Sequence, residues 1–326
     1  MGILRRARLL GLPLLVAALC LVLVGFPQEG LAAARAGLLL WANRVLPAIL
    51  PFVIGANLLA ALGGVTFAGI MLAPVMGRVF RLPGVGGFAL AIGAISGYPI
   101  GAKVVCEIRG RGEISRGEGQ RLISFVNNAG PLFVLGAVGV GMFDNAGFGR
   151  ILLIAHYLGA VLVGLIFRFA NIYDSTRYEN VGNRPRALAT LENARKNAPP
   201  FGQIMRDSVM NGLETMLLIG GFIMIFSVIS HILNLTGIFG ISDYAAGIFG
   251  GIIEMTTGIG NISHLGTSRA TAAIVGFLIS FGGISILFQS LAFISKTDIR
   301  PAPYILAKFI HGLAGGGFAW LLYPIL

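Results

Sequence analysis

Long apolar stretches alternate along the chain with short clusters of arginine and lysine, and this pattern predicts the elements. Leu9–Phe26, Ile151–Phe167 and Thr215–Ile232 carry almost no charge. Each approaches or exceeds the roughly 20 residues that a helix needs to cross a bilayer's hydrocarbon core. Further spans of this kind are expected at about 46–64, 120–143, 268–294 and 304–325. Residues 30–45 set Arg35, Trp41 and Arg44 among Leu and Ala and read as a helix lying in the membrane interface. Residues 67–80 read as a short amphipathic piece ending at Arg78 and Arg81.

Two segments depart from this pattern. Residues 85–108 have apolar arms on both sides of Ser96-Gly97-Tyr98-Pro99-Ile100-Gly101, and the first arm is only half a membrane long. Arg78 and Arg81 precede the segment and Arg109 and Arg111 follow it, so both ends belong on the same, positively charged side. That predicts a re-entrant helical hairpin rather than one crossing kinked at Pro99. Residues 244–266 are a second broken segment, with an expected tip at Thr256–Asn261.

Composition agrees with this class. Apolar residues make up 56% of the chain and charged ones 11%, against roughly 25% charged in soluble domains. The 48 glycines suit a membrane bundle, where small residues let helices approach closely. A net charge of +11 would suggest nucleic acid, but the Lys and Arg residues sit at the ends of apolar segments. There they mark the cytoplasmic side and face anionic lipid, so membrane lipid is the expected partner and nucleic acid is not. Threading from Arg5, Arg6 and Arg8 puts the N-terminus in the cytoplasm, together with the basic loop 168–207. Arg35, Arg44, Arg150 and Arg269 fall on the other side and count as interfacial. The Ala32-Ala33-Ala34 stretch has the look of a signal-peptide cleavage site, but the 18-residue run before it favours a retained helix.

The order of elements occurs twice. Leu50–Leu62 resembles Leu217–Ile229 in pattern, and Gly87–Lys103, broken at Ser96-Gly97, resembles Gly247–Ser263, broken at Thr257-Gly258. Ser115-Arg116 corresponds to Ser268-Arg269, and Phe125–Gly130 to Phe277–Gly282. The expected organisation is an N-terminal helix over 1–29, a first repeat over 30–167, a cytoplasmic basic linker over 168–207 and a second repeat over 208–326. The threading enters the two repeats from opposite sides. The fold class is thus an all-α polytopic membrane protein with an inverted-repeat, transporter-like fold and two re-entrant hairpins. Matching breaks in inverted halves point to a solute site near the midplane.

The candidate ligand-binding residues cluster at these breaks. Gly97 and Gly101 permit a turn after Ser96 and Tyr98, and Pro99 suits the start of the next helix, whose N-terminus is a seat for an anion. Lys103 lies about one turn beyond and is either a ligand or counter-ion for that anion, or else a side chain that snorkels to the interface or pairs with Glu107. Asn127 and Asn128, before Ala129-Gly130-Pro131, interrupt a membrane helix and bond either a ligand or the broken backbone. Glu254 is the carboxylate deep in the second half, a site for a coupling proton or Na⁺ or else a partner of Lys103 or Arg269. Thr256, Thr257 and Asn261 add oxygens or cap helix ends. His156, His231, His264 and His311 lack metal spacing and read as packing or interface residues, with only His264 beside the second tip. Cys20 and Cys106 imply neither disulfide nor metal site. Nucleotide-loop and hydrolase motifs are absent, so neither enzyme activity nor a cofactor is expected. The expected partner is a small anionic solute, and a homo-oligomer is left open.

Ser96-Gly97-Tyr98-Pro99-Ile100-Gly101-Ala102-Lys103, followed by Gln120–Phe125 and Asn127-Asn128-Ala129-Gly130-Pro131-Leu132-Phe133, resembles the signature of the YlbJ family of sporulation integral membrane proteins. The resemblance runs from about residue 35 to the end. It implies the nucleoside-recognition gate domain shared with concentrative nucleoside transporters and ferrous-iron permeases. It also implies movement of dipicolinate, a rigid dianion, during spore formation, and a place in the cell membrane or the outer forespore membrane. The acidic clusters of the true nucleoside transporters are matched only in part, by Glu254. The readings that remain beside it are a scaffold or assembly protein of the spore envelope, and a transporter of nucleosides or another small solute.

Overall fold

The computed structural model describes residues 13–170, 199–235 and 242–325, apart from Leu15, Ala18 and Val22. The N-terminal arginines, much of the first span and most of the basic linker lie outside the described residues. Among the described residues every regular element is helical. In chain order these are α1 (Pro27–Leu40), α2 (Leu46–Ala61), α3 (Gly64–Val75), α4 (Gly86–Ser96), α5 (Ile100–Gly110), α6 (Arg116–Val126) and α7 (Ala146–Phe167). There follow α8 (Phe201–Leu235), α9 (Asp243–Ile253), α10 (Met255–Ser263), α11 (Arg269–Phe281), α12 (Gly283–Ile294) and α13 (Pro301–Leu322). Ala146–Phe167, Phe201–Leu233, Arg269–Ile294 and Pro301–Ile325 are long and apolar enough to cross a membrane. The outward face of α7 is apolar at Ile154, Leu158, Val161 and Leu165, while His156, Lys308, His311, Ser280 and Gln289 are buried. Apolar outside and polar within is the arrangement a bilayer demands. The chain is an all-α polytopic membrane protein.

Two sequence expectations change here, and one is met. Residues 30–45 do not form a separate interface helix: α1 runs through a π-helical turn, Trp41–Val45, straight into α2. Its small-residue face decides this, because Gly37 lies against Met224 and Ser227 of α8. Trp41 Nε1–H then donates to the Met216 carbonyl at 3.0 Å, and Asn57 Nδ2 to that of Ser208 at 3.1 Å. These contacts descend α8 as they climb α1 and α2, so the two runs are antiparallel. The span at 120–143 is interrupted at Asn127–Pro131, where the sequence places the break. After α6, Asn127 is extended, at φ −88° and ψ 92°, and a π-helical stretch, Leu132–Val140, follows Pro131. The span expected at 268–294 breaks as well, at Gly282 and Gly283, with φ 88° and 74°. Only glycine adopts such values without strain.

Both broken segments are helical hairpins. In the first, a side-chain carbon at Gly93 of α4 would meet the Gly101 Cα of α5. In the second, Gly247 faces Ile262, and Gly251 faces Gly258, across α9 and α10. Contacts that advance on one arm while retreating on the other define antiparallel arms.

Bonds at the helix ends fix which ends lie together. Arg109 grips both oxygens of Asp298 at 2.9 and 2.8 Å, and Arg300 N–H donates to Gln120 Oε1 at 2.8 Å. Arg168 donates to the Arg78 carbonyl at 3.2 Å. The first hairpin therefore opens at the basic end, beside the start of α13. At the far end of α13, the Arg269 guanidinium lies 5.3 Å from the Trp320 ring centroid, and Tyr244, at the start of α9, meets Thr271 at 3.4 Å. The second hairpin opens there, at the opposite end of the bundle.

Candidate functional site

The first hairpin turns where its sequence predicts. Gly97 has φ 82°, and any side chain there would be strained and would run into the backbone of Gly130. Ser96 ends α4, Tyr98 projects into the bundle and Pro99 immediately precedes α5. The expected anion seat at the α5 N-terminus is already bonded internally. Ala102 N–H donates to Asn127 Oδ1 at 3.2 Å, Ile100 N–H donates to the Gly97 carbonyl, and Gly101 lies against Val126 and Asn127. Asn127 is saturated, because its Nδ2 also donates to Ser290 Oγ at 2.9 Å and Tyr304 Oη at 2.7 Å. It is a cross-link between α5, α12 and α13. Asn128 Nδ2 returns to the Phe125 carbonyl at 2.9 Å, the backbone-repair role. Lys103 points away from the turn, donating to Thr215 Oγ1 at 3.0 Å with Glu107 at 3.8 Å.

The second hairpin turns earlier than expected, at Glu254 rather than Thr257-Gly258. Glu254 alone joins α9 to α10, and its carboxylate accepts from Thr256 N–H at 3.1 Å, Thr257 N–H at 2.7 Å and Thr257 Oγ1 at 2.8 Å. It pairs with neither Lys103 nor Arg269. Thr256 and Thr257 open α10, and Asn261 lies further down that arm beside Gly250. His264 ends α10 away from the turn, exposed and 3.5 Å from Asp243.

The two turns share one cavity of about 490 Å³. Ser96, Gly97 and Tyr98 line it from the first hairpin, and Glu254, Met255 and Thr256 from the second. Ala129 and Gly130 from the break after α6, Gln289 from α12 and Asn43 from the π-helical turn after α1 complete its polar part. The rest is apolar, including Ile219, Ile223 and Ile286. Its size suits a small organic molecule, for which pockets of roughly 300–1,000 Å³ are usual. Gln289 is buried, and its Oε1 has no hydrogen-bond partner among the described residues. Of the sequence candidates, Pro99, Gly101, Lys103, Asn127, Asn128, Thr257 and Asn261 do not line the cavity.

Behind Tyr98 lies a group of polar side chains that sequence reasoning passed over. Lys308 of α13 is fully buried and donates to Tyr98 Oη at 2.7 Å, the Asn127 carbonyl at 3.2 Å and His311 Nδ1 at 3.1 Å. Tyr98 in turn donates to the carbonyls of Ile279 at 3.0 Å and Ser280 at 3.2 Å. His311 Nε2–H donates to the His156 carbonyl at 2.9 Å. Ala129 N–H donates to His156 Nε2, which leaves the ring proton on Nδ1, facing Ser280 Oγ at 2.9 Å. Both imidazoles are therefore neutral when Lys308 is an ammonium. The signal was available: a lysine inside an apolar span, with Tyr304 and His311 one turn away on the same face.

The chain is 37% identical over 327 aligned positions to the sporulation integral membrane protein YlbJ of Bacillus subtilis (strain 168). The alignment covers 93% of this chain and 80% of that protein. No protein-family profile matches the chain, and no solved structure does.

Proposed function

The chain belongs to the family of the sporulation integral membrane protein YlbJ, and from that premise we propose that it carries a small organic anion across a membrane, with dipicolinate as the first candidate. The observation that carries this reading is the meeting of two hairpin turns, one opening at each end of the bundle, on one cavity of about 490 Å³. Each turn also rests on a broken helix, Gly97 on Gly130 and Met255 on Gly283, which supports an inverted repeat. Such an arrangement exposes a central site to either side by small movements of one half against the other. The gathering of Arg78, Arg109, Arg168 and Arg300 at one end supports a cytoplasmic assignment for that end. Glu254, on the cavity wall, is proposed to hold the coupling proton or Na⁺.

A second reading has its own support. Among the described lining residues Glu254 alone is charged, and Gln289 offers an unpaired acceptor, which suits an uncharged solute such as a nucleoside. Proteoliposomes holding the purified protein separate the possibilities. Uptake of labelled dipicolinate but not uridine is the expected outcome. Uptake of uridine alone would favour the second reading, and no flux of either solute would favour a scaffold role.

A further inference from the structure

A dianion in this cavity needs a positive charge, and none of the described lining residues supplies one. We infer that Lys308, one side chain behind the cavity wall, is the fixed counter-charge for the carried anion, acting through Tyr98. The inference rests on the anion-transport reading above.

The first support is the absence of another counter-ion. The helices α7, α11, α12 and α13 contain no Asp or Glu. Glu118 of α6 is engaged with Ser115 in a capping box, and Glu107 of α5 lies 3.8 Å from Lys103. No carboxylate among the described residues lies within 4 Å of Lys308. A buried ammonium without a partner is costly and marks function. The second support is direction. Lys308 is about two turns from the start of α13, near enough to snorkel toward the basic end. Instead its Nζ reaches His311, one turn deeper, and its hydrogen bonds end on Tyr98, Asn127 and His311. The titratable groups around it are Tyr98 and His311, which it bonds directly, Tyr304, which accepts from Asn127, and His156, whose carbonyl accepts from His311; none is a carboxylate. The third support is the path to the solute. Tyr98 takes the hydrogen bond from Lys308 and lines the cavity itself, and the ammonium lies 4.6 Å from its ring centroid. A solute carboxylate against Tyr98 would therefore feel the charge across one side chain in a medium of low dielectric, where attraction over such a distance remains strong.

The test is a ladder of ligand charge on one pyridine frame: dipicolinate as dianion, picolinate as monoanion and pyridine-2,6-dicarboxamide as the neutral form. Binding to detergent-solubilised protein is measured for the natural chain and for Lys308→Met, which keeps the length and removes the charge. The expected result is graded: a loss on the order of tenfold for picolinate, about the square of that for dipicolinate, and none for the diamide. An equal loss for all three, or no loss, overturns the inference and leaves the transport reading standing. Failure of all three to bind the natural chain overturns the transport reading and the inference together. If Lys308→Met does not fold, the natural chain still decides. Affinity should fall in the order dipicolinate, picolinate, diamide, and a diamide that binds as tightly as the dianion refutes the counter-charge.

Discussion

At the residue scale, the sequence candidates divide by what their atoms already hold. Asn127 looked like a ligand residue because two adjacent amides sit in a membrane span, yet its side-chain oxygen and nitrogen and its carbonyl are all bonded to the protein. Replacing it with Ala removes three side-chain bonds joining three helices. At about 0.6–1 kcal/mol for each interhelical bond in a membrane protein, Asn127→Ala should cost roughly 2–3 kcal/mol. A lowered melting temperature in detergent, with the affinity of the surviving folded protein little changed, is the expected result. Lys103 likewise faces Thr215 and Glu107, and Lys308 bonds Tyr98, which lines the cavity.

At the element scale, the second hairpin depends on an unusual cap. The N-terminus of α10 leaves donors without helical partners, and Glu254 satisfies two of them with one carboxylate. Glutamine keeps one acceptor and turns an NH₂ group toward the donors that the other oxygen served. Glu254→Gln should therefore cost about 1 kcal/mol and speed hydrogen exchange at the Thr256 and Thr257 amides, with little change in the first hairpin. If Glu254 also holds the coupling ion, this variant should exchange solute between two filled sides but fail to accumulate it against a gradient. Unchanged exchange at those amides would remove the cap from the account of the turn.

At the scale of the whole molecule, the two ends differ in charge, and one pair ties the first hairpin to the second half at the basic end. Arg109 bonds Asp298 with both oxygens and, with a desolvation effect opposing it, holds that carboxyl below its ordinary value. A carboxyl depressed in the folded state favours folding while it is ionised. That contribution is complete above the unfolded value near 4 and is lost as pH falls through the folded value. Melting curves of the natural chain and Asp298→Asn should accordingly differ by a constant amount above about pH 5, and the difference should shrink as pH falls below the unfolded carboxylate value near 4. The pair is exposed, so the difference should be small and shrink in high salt. A gap that does not depend on pH would show that the pair contributes nothing through charge.

Much of this architecture is legible in the chain alone. Hydropathy marked the helices, because every residue facing lipid must be apolar whatever its neighbours are. Arginines at both ends of residues 85–108 required a hairpin, and Gly97 set its turn, because these are local demands of backbone and charge. Pro131 marked the break before the π-helical stretch for the same reason. The break at Gly282-Gly283 and the turn at Glu254 needed the packed structure. Gly258 looked like a turn residue, but its lack of a side chain serves close contact with Gly251 across the hairpin. The continuity of α1 with α2 also depended on a partner, since Gly37 and Trp41 acquire their roles only against α8. The Lys308 group was hidden for the most general reason. Tyr98 and Lys308 stand 210 positions apart, and a lysine in an apolar span announces that it needs partners without naming them. Only the packing of α13 against α7, α11 and the first hairpin brings an ammonium, a phenol and two imidazoles within bonding distance, because hydrogen bonds depend on geometry and not on order in the chain.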